Sequence, residues 1–254
     1  MLRTVTAVRY AAPLREGGSL PGLVEADDDG MYVVKFRAAG QGLKALVAEV
    51  IVGELGRELG LPVPELVTVT VDPALGRTEP DPEINELVSG SAGLNCGLDF
   101  LPGALDYNPA RDEPVDPELA AAVVWLDALA TNVDRTVRNP NLLVWHRGLW
   151  LIDHGAALYQ HHRPGDDFAR HARDRFALIA DHVLLPLAGE LDAVDARLAA
   201  RLNAEAVDDV LGHVPDEWLL PNPEAERERY REYFLTRLES PRPFMADLEA
   251  AVAA

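Results

Sequence analysis

The feature that most constrains this chain is the stretch from Val124 to Leu158, VWLDALATNVDRTVRNPNLLVWHRGLWLIDHGAAL. It opens with an apolar run that has the composition of a buried helix, and after Thr131 it continues into a turn rich in Asn, Asp and Arg. Two short apolar runs follow, Leu142 to Trp145 and Leu149 to Ile152, and the His-Arg-Gly sequence between them predicts a β-hairpin. The second run leads directly into Asp153.

Three oxygen-bearing side chains are spaced through this stretch. Asn139 lies five positions after Asp134, and the predicted hairpin would return Asp153 to the neighbourhood of Asp134. Phosphoryl transfer from a nucleotide needs a carboxylate that accepts the proton of the attacking hydroxyl, together with hard oxygen ligands for Mg²⁺. We therefore predict Asp134 as the catalytic base and Asn139 and Asp153 as metal ligands. The alternative is that Asn, Asp and Pro gather here because they favour turns.

The charge and the cysteine content restrict the partners. A net charge of −19 over 254 residues argues against nucleic acid or an anionic membrane as the main partner, but not against ATP, whose charge is neutralised locally. No apolar run approaches the ~20 residues of a membrane helix. The single Cys96 allows no internal disulfide, so we expect a cytoplasmic protein in which Cys96 is a packed residue.

The N-terminal part predicts a small β-rich lobe. Strands are predicted over residues 4–12, 23–26, 31–36, 65–71 and 85–89, and a helix over residues 44–59. Residues 89–107 are rich in glycine and small side chains and predict the connection to a larger, mainly helical lobe. The expected fold class is therefore α+β, with a small antiparallel β-rich N-lobe carrying one helix over residues 1–101 and a C-lobe over residues 102–254.

A lysine lies within the apolar strand YVVKF, where an unpaired cation would be costly. We predict that Lys35 contacts phosphate and that Glu49, on the apolar face of the following helix, is its partner. The alternative is an edge-strand lysine that points to solvent. Gly17, Gly18 and Ser19 lie between the first two strands, where glycines would let backbone N–H groups approach phosphate, although an ordinary hairpin loop has the same composition.

The remainder of the chain predicts helices and loops. Asp116 before a proline is a typical helix start, and helices are predicted over residues 117–131, 167–182, 187–202, 204–213 and 222–238, with a short one after Pro243. The segment 156–167 is predicted to face the substrate. Its His161 and His162 are predicted to be packed or exposed side chains rather than metal ligands, since no Cys lies nearby.

The whole chain resembles the protein-kinase-like superfamily and, within it, the bacterial HipA-like serine/threonine kinases. The resemblance covers roughly residues 4–185 and rests on YVVKF, on AEVIVGELGRELGLPVPE and above all on TNVDRTVRNPNLLVW. In the last motif, Asn132 stands where most protein kinases carry a His. The resemblance implies a two-lobed protein-kinase-like fold, ATP and Mg²⁺ as cofactors, and an antitoxin-like or a regulatory protein partner.

The resemblance also implies roles for particular residues. Gly17, Gly18 and Ser19 would cover the phosphates, and Ser19 is the candidate for autophosphorylation, because HipA proteins phosphorylate a serine in their glycine loop. The backbone around Asp99, Phe100 and Leu101 would contact adenine. Two departures are evident: the glycine loop does not match G-x-G-x-x-G well, and His154 replaces the Phe of the usual D-F-G.

Three functions therefore remain open from the sequence. The first is an ATP-dependent HipA-like protein kinase with an unidentified acceptor. The second is a small-molecule phosphotransferase similar to aminoglycoside kinases, which share the Asp, the Asn five positions later and the I-D ending of the hairpin. The third is a nucleotide-binding pseudokinase with a regulatory role, although such a module would not need to keep Asp134.

Overall fold

The structure, a computed structural model, describes residues 1–14, 20–40, 42–111, 115–163 and 167–252. The N-terminal part is built from the strands β1 Thr4–Pro13, β2 Gly22–Ala26, β3 Met31–Lys35, β4 Leu66–Val71 and β5 Gly93–Asp99. Two helices accompany them, α1 Leu43–Glu58 and α2 Pro82–Gly90, with a 3-10 turn over Pro73–Thr78. The division into lobes over residues 1–101 and 102–254 stays a prediction.

These strands close into a barrel in the order β1-β2-β3-β5-β4. Neighbouring strands are antiparallel except β1 and β4, which run parallel with Val5 opposite Val69. Alternation along β3 and β4 turns β-branched side chains inward, and Val34 and Val69 are fully buried. The prediction of an antiparallel sheet is thus wrong for the pair β1 and β4. The chain between these two strands includes α1 and is long enough for the crossover connection that parallel strands require.

Helix α1 is buried around most of its circumference, which explains why its sequence is apolar on every face. Gly53 allows β4 to pack closely on the helix, since a Cβ at this position would lie 3.0 Å from Leu66 Cδ1. At the N-terminal end, the Lys44 ammonium donates a hydrogen bond to the carbonyl of His161. The helix therefore lies between the barrel and the C-terminal part of the chain, which it contacts at its first turn and through two of the helices there.

Helix α2 replaces the strand predicted over residues 85–89, so that prediction is wrong. The Asp81 carboxylate accepts a hydrogen bond from the Glu83 N–H at 3.1 Å, and Pro82 occupies the first helical position. These are helix-start signals. Ile84 and Val88, four positions apart, face the barrel and are buried. The small lobe therefore has two helices instead of the single one expected.

The C-terminal part contains a short sheet of β6 Leu105–Asp106, β7 Leu142–Trp145 and β8 Gly148–Leu151, and the helices α3 Pro117–Leu129, α4 Leu191–Arg201, α5 Ala204–Gly212, α6 Pro223–Leu238 and α7 Met245–Val252. In the described part of the chain, no helix is long and apolar enough to cross a membrane.

Between β8 and α4 the chain forms 3-10 turns over Tyr159–His162, Phe168–Arg173, Ala177–Asp181 and Leu185–Leu187. The helix predicted over residues 167–182 is therefore wrong. Its periodic apolar side chains are buried, but the Phe176 N–H donates to the Asp247 carboxylate at 2.7 Å instead of to a carbonyl four residues earlier. The next helix, α4, begins at Leu191 instead of at residue 187.

Helix α3 and the β7–β8 hairpin fix the position of the stretch between them. Asp116 caps α3 by accepting hydrogen bonds from two backbone N–H groups at 3.0 Å, and every residue from Ala120 to Leu129 is buried. The hairpin turn consists of His146 and Arg147, with φ angles of 49° and 66°. Positive φ at both central residues suits the twist of the flanking strands. Gly148 is therefore the first residue of β8 and not a turn residue.

Several contacts besides the connecting chain tie the two parts together. Helix α1 packs against α5. The Arg37 guanidinium lies 2.7 Å from the Glu217 carboxylate, and the Trp218 indole N–H donates to the Leu94 carbonyl at 3.2 Å. The strand β5 and the loop after β3 are thus anchored on the helical part of the molecule.

Candidate active site

Lys35 is the last residue of β3 and lies at the centre of a buried ion-pair cluster. Its ammonium is 2.6 Å from Glu49 Oε2 and 2.5 Å from Asp153 Oδ1. The side chain of Glu49 is fully buried, and its Oε2 also accepts the His154 N–H at 2.8 Å. Because Lys35 is only 8% exposed, the alternative of a solvent-facing lysine is wrong. The structure instead pairs Lys35 with Glu49, as the sequence predicts.

The pKa values of this pair show that both groups are charged near neutral pH. Burial by itself would lower the pKa of Lys35, but the carboxylates of Glu49 and Asp153 outweigh it and raise that pKa. Burial would likewise raise the pKa of Glu49, whereas the Lys35 ammonium and His154 lower it to about 2. The cluster therefore keeps a cation in the interior, within reach of the cleft described below.

Asp134 is half-buried and is held by two asparagines of the same turn. Asn139 Nδ2 donates to Asp134 Oδ2 at 2.9 Å, and Asn141 Nδ2 donates to the same oxygen at 3.3 Å and to the Asp134 carbonyl at 3.1 Å. The φ of Asn141 is 49°, a conformation that asparagine tolerates better than most residues. The sequence reasoning did not assign Asn141 to the site, although its position two residues after Asn139 was a visible signal.

A cleft of about 280 Å³ brings these groups together. Its charged lining consists of Lys35, Asp134 and Asp153, and the rest comes from the loop after β3, the first turn of α1 and residues 155–156. Gly40 and Gly42 in that loop have φ angles of 47° and 64°, which favour glycine. This second glycine-bearing loop was missed from the sequence. The glycine loop predicted at Gly17, Gly18 and Ser19 lies outside the described residues.

A buried carboxylate lies behind the turn that carries Asp134. Asp127 on α3 accepts hydrogen bonds from Asn132 Nδ2 at 2.9 Å, Arg135 Nε at 2.5 Å and His182 Nε2 at 2.9 Å. The side-chain oxygen of Asn132, Oδ1, in turn accepts the Asp134 N–H at 3.1 Å. This cluster was not predicted from the sequence, although a charged residue inside an apolar helix was a signal for it.

The residues predicted to contact adenine lie at the end of β5. The N–H groups of Asp99 and Phe100 donate to the carbonyls of Glu65 and Met31 at 2.9 Å, and the side chain of Leu101 is buried. Those two backbone donors are therefore used within the protein, and a contact of adenine with the backbone around Asp99, Phe100 and Leu101 stays a prediction. Cys96 is fully buried, as expected for a packed residue.

The two histidines of the segment predicted to face the substrate meet edge to face, with an angle of 89° between their rings. His161 Nε2 and His162 Nε2 are 3.0 Å apart, and His161 Nδ1 lies 2.8 Å from the Tyr230 hydroxyl. Burial lowers the pKa of both imidazoles. Among the described residues, no group of three or more His, Cys, Asp or Glu side chains has a geometry suited to a metal ion.

Comparisons with known proteins give a family and a fold. The sequence model of the HipA-like kinase family matches residues 8–240. No curated protein matches the chain. Among solved structures, the chain is similar to the Helicobacter pylori proinflammatory kinase CtkA, with a TM-score of 0.58, 11% identity and 98% of each chain covered. It also matches the Golgi casein kinase with Mn/ADP bound, with a TM-score of 0.45, 14% identity, and 95% of this chain and 74% of that one covered.

The likeness to CtkA confirms the two-lobed, kinase-like α+β fold expected from the sequence. The family match extends over the barrel, the cleft and most of the helical part, so it includes Lys35, Glu49, Asp134, Asn139 and Asp153. The chain belongs to the HipA-like kinase family.

Proposed function

We propose that this kinase is an ATP- and Mg²⁺-dependent protein kinase that phosphorylates serine or threonine. One observation carries the proposal: a single cleft is lined by a buried, doubly paired lysine from β3, by Asp134 from the turn after α3, and by Asp153 from the end of β8. Three separate elements of the chain thus supply the cation and the two carboxylates that phosphoryl transfer needs.

The proposed roles follow from the chemistry of each side chain. Asp134 accepts the proton of the attacking hydroxyl, and its carboxylate is oriented for this by Asn139 and Asn141. Lys35 contacts the phosphates of ATP, and Glu49 holds the ammonium in position.

Asp153 and Asn139 hold Mg²⁺, which would neutralise the charge that develops on the phosphates. Carboxylate and amide oxygens are ligands that Mg²⁺ accepts, and Mg²⁺ commonly binds through one or two carboxylates together with phosphate oxygens. Two observations support this assignment: Asp153 lines the cleft, and Asn139, outside its lining, bonds to Asp134, which lines it too. The supply of Mg-ATP makes the cytoplasm the compartment that we propose.

The test is the intact mass of the purified protein after incubation with Mg-ATP, with wild type beside Asp134→Ala. Wild type is expected to gain one phosphate, and Asp134→Ala none, while Mg-ADP affinity in Asp134→Ala stays within a few-fold of wild type. Asp153→Asn is expected to weaken Mg-nucleotide binding itself. Ser19 is the first acceptor to examine by peptide mapping, since the glycine-loop serine is the residue that HipA proteins phosphorylate.

The control is Asp208→Ala, which removes an exposed carboxylate of α5 that pairs with Arg231. This variant is expected to behave as wild type in both measurements. If wild type gains no phosphate, ATP consumption with serine-containing peptides and with amine-bearing small molecules distinguishes a missing acceptor from a small-molecule kinase. Turnover by Asp134→Ala at the wild-type rate would contradict the proposal.

A further inference from the structure

The carboxylate of Asp127 connects three segments that are far apart in the sequence. Asp127 lies in the last turn of α3 and is fully buried. Its Oδ1 accepts one hydrogen bond, from Asn132, and its Oδ2 accepts two, from Arg135 and His182. Burial would raise the pKa of Asp127, but Arg135 and His182 lower it, so the carboxylate is ionised at neutral pH.

The hydrogen bonds of His182 define its tautomer. The Leu184 N–H donates to His182 Nδ1 at 3.0 Å, so Nδ1 carries a lone pair and the proton lies on Nε2. The Nε2–H therefore donates to Asp127. Burial lowers the pKa of His182, which agrees with a neutral ring. Main-chain contacts hold His182 beside the turn, because the Val183 N–H donates to the Arg135 carbonyl at 3.0 Å.

Two paths lead from Asp127 to the cleft. On the first, the Asn132 amide donates to Asp127 with its nitrogen and accepts the Asp134 N–H with its oxygen, so Asp127 fixes which way the amide faces. On the second, Arg135 donates to the carbonyls of Asn141 and of Ile152, the residue before Asp153. The same carboxylate thus orders the backbone next to both acidic residues of the cleft.

We propose that Asp127 is a positioning residue that sets the orientation of Asp134 through Asn132 and Arg135. The inference rests on the function proposed above. Asp127 has no contact with the cleft and takes no part in the chemistry. Partners of this indirect kind typically contribute about 10- to 100-fold to activity.

The first test is Asp127→Asn, which keeps the size of the side chain and replaces one acceptor oxygen by a donor NH₂. Three donors converge on this position, so the new NH₂ group must face one of them. The Asn132 side chain can accept a hydrogen bond from this NH₂ only if its amide rotates, and its oxygen then no longer accepts the Asp134 N–H. The remaining oxygen at position 127 can still accept from Arg135, so the contacts of Arg135 with the Asn141 and Ile152 carbonyls are expected to stay. We therefore expect kcat for phosphoryl transfer to fall by about 10- to 100-fold, with Mg-ADP affinity within about 2-fold of wild type.

The exchange variant Asp127→Asn/Asn132→Asp restores the hydrogen-bond pattern. The new amide at position 127 donates to the new carboxylate at position 132, whose second oxygen again accepts the Asp134 N–H. We expect this double variant to recover most of the kcat that Asp127→Asn loses. If Asp127 acts only in folding, Asp127→Asn is expected to keep the wild-type kcat below its unfolding temperature. The double variant would then have no lost kcat to recover.

The matched control is Asp195→Asn. Asp195 accepts hydrogen bonds from the Trp125 indole at 2.7 Å and from Arg242 at 2.6 Å, so it too bonds a residue of α3 and an arginine, but it has no contact with the turn that carries Asp134. Asp195→Asn is expected to lower the thermal midpoint and to leave kcat at the wild-type value.

Hydrogen exchange of the peptide covering residues 131–141 provides a readout that does not depend on activity. Asp127→Asn is expected to speed exchange there and to leave β3 and α1 unchanged. If Asp127→Asn does not fold, Asn132→Ala takes its place, with the same expected loss of kcat. Unchanged kcat and unchanged exchange would overturn the inference. Faster exchange in a protein whose wild type transfers no phosphate would support the positioning role and refute the proposed function.

Discussion

The buried Glu49 gives a prediction that combines a mutation with a change of pH. Its pKa is lowered from an ordinary 4.5 to about 2. At ~1.4 kcal/mol for each pKa unit, the ionised carboxylate stabilises the fold by roughly 3 kcal/mol. Because the folded-state pKa is the lower one, this contribution is complete above the unfolded-state pKa and is lost as the pH falls towards 2.

The perturbation is Glu49→Gln, which cannot titrate at this position. The measurement is urea unfolding of wild type and variant at pH 6 and at pH 3. Between pH 6 and pH 3, wild type loses roughly 2 of the 3 kcal/mol by which the ionised Glu49 carboxylate stabilises the fold. The variant has no such carboxylate and therefore loses none of this stabilisation. We therefore expect the difference in free energy of unfolding between the two proteins to be about 2 kcal/mol smaller at pH 3 than at pH 6.

Glu65→Gln is the matched control for this experiment. Glu65 forms an ion pair with Arg3 in which both side chains are about half exposed, so solvent screens the charge in the folded and unfolded states alike. The difference between this variant and wild type should vary little with pH. A difference for Glu49→Gln that stays constant between pH 6 and pH 3 would refute the reasoning, because it would mean that Lys35 does not hold the Glu49 carboxylate in its ionised form.

Two further predictions concern the backbone and the turn. Gly42→Ala is expected to lower the free energy of unfolding by about 1–3 kcal/mol through backbone strain, because φ is 64° and ψ is −146° there, a combination that is essentially restricted to glycine. The new Cβ meets no atom closer than 3.8 Å, so no steric clash is added. Gly212→Ala, in a helix with open space around it, is expected to raise it by about 0.5 kcal/mol, and thermal unfolding compares the two. Asn141→Gly keeps the positive φ but removes the donor to Asp134, so kcat is expected to fall about 10-fold with unchanged Mg-ADP affinity; an unchanged kcat would show that Asn139 alone orients Asp134.

The parts of the site that the sequence predicts are those set by local structure. Asp134 and Asp153 flank a hairpin, and a hairpin brings its ends together whatever surrounds it. Lys35 and Glu49 lie in apolar segments, where a charge needs a partner. By contrast, the hydrogen bond between Asp127 and His182 depends on how the 3-10 turns after β8 pack against α3. No periodic pattern in the sequence predicts that packing.

The errors in secondary structure have a similar origin. The segment containing Val88 has the composition of a strand. Asp81 and Pro82 nevertheless start a helix, and this helix initiation outweighs the strand propensity of a few β-branched residues. Along the 3-10 turns, Phe168 and Phe176 recur at a helical spacing because both reach the core. The spacing of apolar residues there indicates which side chains are buried, and it does not determine the hydrogen-bond pattern of the backbone.

The closed barrel has a consequence for how other proteins recognise this kinase. Within the described residues, β2, β3, β4 and β5 each pair with a strand on both sides, whereas β1 changes neighbour along its length. It pairs with β4 over Thr4 to Thr6 and with β2 over Ala7 to Pro13. Exposed strand edges are where peptides add to a sheet and where aggregation begins. Closure of the barrel therefore limits the strand edge at which another chain could pair to β1.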